Sequence, residues 1–369
     1  MARFKHARVS LLMVGAIYSC ACSGGAEGEG GRSTELDNAS APVELTCPAS
    51  EQEVIDLGSF GPTQSSEPST AVALNDYGTV VGLARLEVSP GQTEARAFRW
   101  KPDTGMVALA TLGGTSSWAN DVNNADQVAG TSRLPNGDAH AVVWDAEGRI
   151  RDLGTFGGHS SSANGINNRG QVVGVAADAI GERGFIWDAK TGMVDMELPR
   201  SAKPAKINDF GVVVGTSDVK AFKWTKNEGL TLLDQLGATF SLAWGINNLA
   251  EAVGSAQLGN ERFGVRWAAC GGSRVAALPN AMETFPRAIN DRGLMVGTGS
   301  PPISLTHYEQ RTVFVAAQWE STNRVAPLPL EATSSSANDV NNCGDVVGER
   351  RIPGRDWRAY LWHPQRQSQ

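Results

Sequence analysis

Charge is scarce in this chain: 19% of its 369 residues are Asp, Glu, Lys or Arg, against about a quarter in ordinary soluble domains. No run approaches the ~20 consecutive apolar residues that a membrane-spanning helix needs, which excludes a polytopic helical membrane protein. Basic residues are not in excess either. The formal charge is -7, whereas a nucleic-acid binder needs a basic face, so no nucleic-acid partner is expected. Ala, Leu, Glu and Lys do not recur at helical spacing over long stretches, which argues against a helical bundle. Cysteine is sparse, at five residues. Glycine is plentiful, at 42 residues, well above its average share of about 7%. A soluble, turn-rich chain remains, long enough for two or three domains or one large one.

The N-terminus has the layout of an export signal. Arg3, Lys5 and Arg8 precede an apolar run from Val9 to Ile17, too short to remain as a membrane anchor. Ile17-Tyr18-Ser19-Cys20 resembles the lipobox of bacterial lipoproteins, in which the Cys receives a diacylglycerol and the signal is cut just before it. Cys22 is a weaker competitor for that role. The resemblance implies an exported protein, lipid-anchored through Cys20 to the outer membrane or cell surface. Residues 1–19 then form the signal, and removing them takes the charge from -7 to -10. Residues 20–50 are small and polar and read as a flexible tether, with a reach of roughly 30 Å.

The remainder is one unit written seven times. A nine-residue block recurs as LNDYGTVVG, VNNADQVAG, INNRGQVVG, INDFGVVVG, INNLAEAVG, INDRGLMVG and VNNCGDVVG. Its first Asn falls at 75, 123, 167, 208, 247, 290 and 341, a mean step of about 44 residues. An apolar stretch ending in Trp follows each block, at 100, 144, 187, 224, 267, 319 and 362. A further apolar landmark comes nine residues later in five of six cases. The Asn residues and the Gly suit a tight hairpin turn. The VVG and Trp stretches suit strands. Asp126 and Ala250 replace the turn Gly in the second and fifth units, so the fifth turn is expected to differ in shape.

Four short strands (a, b, c, d) per unit of this length is the arithmetic of a β-propeller blade. The last unit lacks its d landmark, while an orphan, Val54-Ile55-Asp56-Leu57, stands before the first. The fold class that follows is all-β: a seven-bladed propeller over residues 51–364, closed by an N-terminal strand that completes the last blade, with a tail at 365–369. The INxxGxVVG core resembles the HAF-type extracellular repeat of bacterial proteins, over residues from about 54 to 363. Only His140-Ala141-Val142 keeps the His of that name. The likeness implies a surface-exposed protein and brings no chemistry with it.

In a four-stranded meander the a–b and c–d turns share one face of the disc, and the d–a and b–c loops share the other. Cys343 lies in the a–b turn of blade seven, and Cys47 precedes the d strand of that blade. A Cys47–Cys343 disulfide is therefore expected, with Cys270 left over; three free or otherwise paired thiols are the alternative. The tether then enters on the a–b face, and the d–a/b–c face points away from the membrane. Blades one and six have the longest spans from turn Asn to Trp, 25 and 29 residues. Their b–c loops flank the blade-seven loop RRIPGRDWR, bringing His307, Tyr308, Arg311, Arg351, Arg355 and Trp357 into one sector. Arg beside exposed aromatics favours binding.

No HExxH, paired CxxC, GxSxG or Asp-rich calcium loop occurs in the blades, so no metal, cofactor or catalytic residue is assigned. Asn120-Asp121 and Asn338-Asp339 read as part of the repeat, and nothing in the sequence places a partner beside His159. The reading is a non-enzymatic binding module for a glycan or protein. The alternative is a propeller lyase or hydrolase acting on polysaccharide.

Overall fold

The computed structural model describes residues 47–60, 68–279, 281, 283–300, 314–354 and 356–366. Among them are 28 strands in seven four-stranded antiparallel sheets, and no helix. Six sheets follow the chain in order, as in blade one: Ser69–Leu74, Val80–Ser89, Gln92–Lys101 and Gly105–Ala108. The seventh joins Ser334–Val340, Val346–Arg351 and Trp357–His363 to Glu53–Asp56. The N-terminal strand therefore supplies the missing d strand, and its Val54 pairs with Trp362.

Each a–b turn is built by its Asn. Asn167 Oδ1 accepts the amides of Arg169 and Gln171 at 3.1 and 2.9 Å, while Gly170 takes φ 74°. The expected departure in the fifth turn does not occur. Ala250 sits at φ 58° and its amide donates to the Asn247 carbonyl at 3.1 Å, matching Gly170 on Asn167 at 3.0 Å. The Asn side chain holds the turn against the strain of a Cβ in the left-handed region.

The core lies between blades. Ala, Val, Phe and Trp from strands a, b and c fill it, and Trp144, Trp267 and Trp319 are fully buried. The indole N–H of each donates to a carbonyl in the stretch before strand a of its own blade (Ala110, Asp234, Ala276) at 2.7–2.8 Å. Every a strand carries a β-bulge three residues before its turn Asn. The bulge presses a carbonyl onto the Gly of the neighbouring b strand: a Cβ on Gly174 would meet Ser162 O at 1.9 Å. That contact explains the Gly that ends each block.

Cys47 and Cys343 are joined by a disulfide with Cα atoms 5.4 Å apart. Cys270 is not left over, because it too is disulfide-bonded. Ser50 bridges to Arg366, whose guanidinium donates to Asp345 at 2.6 Å and to the Cys343 carbonyl at 2.8 Å. Residues 47–50, counted in the tether by composition, are thus fastened to blade seven, as is Arg366 from the expected tail. Burial would raise the pKa of Asp345, but bonds from His363 and Asn341 and the charge of Arg366 hold it below the ordinary carboxylate range.

Candidate functional site

The seven a strands surround a central channel whose cavity measures about 680 Å³. Two closed rings frame its a–b end. Asn75 Nδ2 donates to the Asn123 carbonyl at 3.0 Å, and the same bond runs from blade to blade until Asn341 returns to Asn75 at 3.1 Å. Each residue after these Asn also donates its amide to the side chain of its counterpart in the next blade, from Asp76 round to Asn342. Among these, Asp76, Asp209 and Asp291 accept further bonds from Asn amides at 2.9–3.3 Å. Seven identical contacts make this end a structural hoop.

The bulges treat the blades differently. A bulge re-aims one side chain, and here the bulged residues are Val72, Asn120, Asn164, Ala205, Trp244, Arg287 and Asn338. All but Asn164 and Ala205 line the cavity. Asn120 and Asn338 each donate to a carbonyl of the next blade at 2.8 Å. One residue further on, Asp121 and Asp339 accept the amides of Ile166 and Leu74 at 2.9 and 3.1 Å. The pairs Asn120-Asp121 and Asn338-Asp339 therefore knit blades together, and Asp121 does more.

Lys206 reaches from blade four across Gly165 to Asp121, with Nζ 2.6 Å from Oδ1. Burial alone would lower the Lys206 pKa, but Asp121 and Asp339 raise it. Burial pushes Asp339 up to about 6, with Lys206 pulling it down and Asp121 pushing it up. Toward the d–a/b–c end, Trp244 packs edge-on against Phe285, with centroids 6.1 Å apart and planes at 84°. Arg262 covers Phe285 at 5.0 Å. Arg287 donates to Asn338 Oδ1 at 2.8 Å, and Thr70 donates to Glu349 Oε2 at 2.6 Å. Arg287 is open to the channel space but walled in by protein, which lowers its pKa, while Glu349 raises it.

Of the sector expected from the loops, only Arg351 and Trp357 are described: they are the cross-strand pair that adjoins the b–c turn of blade seven. His307, Tyr308, Arg311 and Arg355 lie outside the described residues, as does Cys20. The long b–c segment of blade one is a continued β-hairpin that pairs as far as Ser89 and Gln92. His159 stands 3.4 Å from Asp138 with its side chain 92% exposed. Among the described residues no three His, Cys, Asp or Glu side chains converge as a metal site would require. No described helix is long and apolar enough to cross a membrane. Sequence reading passed over Trp244, Phe285 and Arg287. Their signal was a break in the repeat, since Trp244 is one of three Trp outside the blade-Trp position.

No family model and no curated protein matches the chain, so the likeness to HAF-type repeats rests on the repeated block alone. Solved structures do match. The β-propeller domain of the Trilobed protease from Pyrococcus furiosus aligns with TM-score 0.55 at 9% identity, over 82% of this chain and 96% of that one. The acylaminoacyl peptidase of Pyrococcus horikoshii aligns with TM-score 0.52 at 10% identity, over 82% of this chain and 52% of its own. TolB from Acinetobacter baumannii aligns with TM-score 0.45 at 11% identity, over 76% of this chain and 79% of its own. The two alignments with TM-scores above 0.5 concern the fold alone, and the seven four-stranded sheets make the protein a seven-bladed β-propeller.

Proposed function

We propose that this propeller is an exported, lipid-anchored binding module whose ligand enters the d–a/b–c end of the central channel. One observation carries the reading. Seven blades share one framework, yet their bulged positions differ, five of the seven line the channel, and the large and charged ones, Trp244 and Arg287, stand on adjacent blades. A scaffold repeated without change and varied where it meets a cavity has the form of a recognition surface. The chain enters at Cys343, on the opposite face, so an anchor at Cys20 leaves the channel mouth turned away from the membrane. The other polar groups of the channel, Asn120, Asp121, Lys206 and Asn338, are engaged in inter-blade bonds, which suits holding a ligand better than moving protons.

A binding screen of glycans and envelope proteins against the mature chain tests this. Arg287→Ala should abolish the best hit while Trp357→Ala leaves it intact. The reverse pattern would return the site to the loops of blades six, seven and one, with His307, Tyr308, Arg311, Arg351 and Arg355. Turnover of a polysaccharide would favour the lyase or hydrolase reading.

A further inference from the structure

We infer that the ligand taken by the channel mouth is a neutral saccharide. The inference rests on the binding-module reading and adds the chemistry of the ligand. Trp244 is fixed by its edge-to-face contact with Phe285 at 6.1 Å, and Arg262 lies over the Phe285 ring at 5.0 Å. Trp244 is also half-buried in the channel wall. Unlike Trp144, Trp267 and Trp319, its indole N–H has no hydrogen-bond acceptor among the described residues. It therefore presents an immobilised apolar ring with an open donor at its edge, and such a ring receives the C–H face of a pyranose at little entropic cost.

Around it stand groups with spare bonding capacity of both kinds. Arg287 spends one N–H on Asn338 and has no carboxylate in ion-pair contact among the described residues, leaving donors free of its five. Among the described residues Glu349 accepts from Thr70 alone, through Oε2, and its other oxygen has no partner there. Hydroxyl groups both donate and accept, and so match this mixture. Arg287 and Glu349 offset one another and Lys206 is held by Asp121 at 2.6 Å, while the further carboxylates of the lining, Asp339 among them, disfavour an anionic ligand. A polyhydroxylated, uncharged ring meets these conditions. A carboxylated sugar would face Glu349 and Asp339, and a cationic peptide would face Arg287.

The test is titration calorimetry of the mature chain, guided by an array of neutral gluco-, manno- and galacto-oligosaccharides. Uronate oligomers and a peptide library run beside them. At least one neutral oligosaccharide should bind, with affinity falling about tenfold or more in Trp244→Ala and in Arg287→Ala, and less in Trp244→Phe, which retains an aromatic face. Unchanged melting of each variant confirms folding. Selective binding of uronates or peptides that is lost in Trp244→Ala overturns the saccharide inference and leaves the binding-module reading standing. Neutral-sugar binding indifferent to Trp244 and Arg287 overturns this site. Absence of any ligand overturns both readings.

Discussion

Replacing Asp339 by Asn should stabilise the protein at neutral pH and leave it unchanged near pH 4. Asp339 lies among the channel carboxylates, with its Oδ2 on the Leu74 amide at 3.1 Å, and its folded pKa stands at about 6 against an ordinary 3.8. Burial is the main cause; Asp121 adds to it and Lys206 opposes it. A folded pKa above the unfolded one means that the native state holds its proton longer. The associated stability is complete below pH ~4 and is lost as pH rises through 6. A shift of about two units corresponds to about 3 kcal/mol lost by neutral pH. Like the protonated acid, Asn keeps one carbonyl acceptor for Leu74 without the charge. In both forms the Val340 amide, which Oδ1 accepts at 2.9 Å, loses its anionic partner. Urea unfolding of the wild type and Asp339→Asn from pH 4 to 7.5 should give curves that coincide at pH 4 and diverge by about 3 kcal/mol at pH 7. Parallel curves across that range would refute the account.

Three further outcomes follow from the framework. Asn167→Ala removes an acceptor for two amides and the bond to the Asn208 carbonyl, and should cost about 2–4 kcal/mol in urea unfolding. Ala250→Gly relieves a left-handed residue at φ 58° and should raise stability by about 1 kcal/mol, visible as a higher denaturation midpoint; a lower midpoint would show that the fifth turn is unstrained. Cys47→Ser opens a bridge spanning 296 residues, and should cost about 2–4 kcal/mol and expose Glu53–Asp56 to early amide exchange.

The blades were legible because each local signal repeats in phase: Asn at the turn, Gly facing a bulge, Trp closing strand c. Their closure was legible too, since Val54–Leu57 matches the strand the last unit lacks. The candidate site was not. Trp244 and Arg287 stand 43 residues apart, and nothing local distinguishes a side chain turned into the channel by a bulge from one packed between blades. The turn of Ala250 was misread for a related reason, because propensity registers the Cβ but not the bonds from Asn247 that outweigh it.

By itself the sequence determined the unit, its count and its order, since those depend on hydrogen bonds and burial within about 44 residues. The tertiary structure alone decided what the ring does with them. It closed seven Asn side chains into a hoop and drew Asp121, Lys206 and Asp339 together from three blades. It also set an aromatic wall beside Arg287, because only closure brings the a strands of distant repeats around one axis.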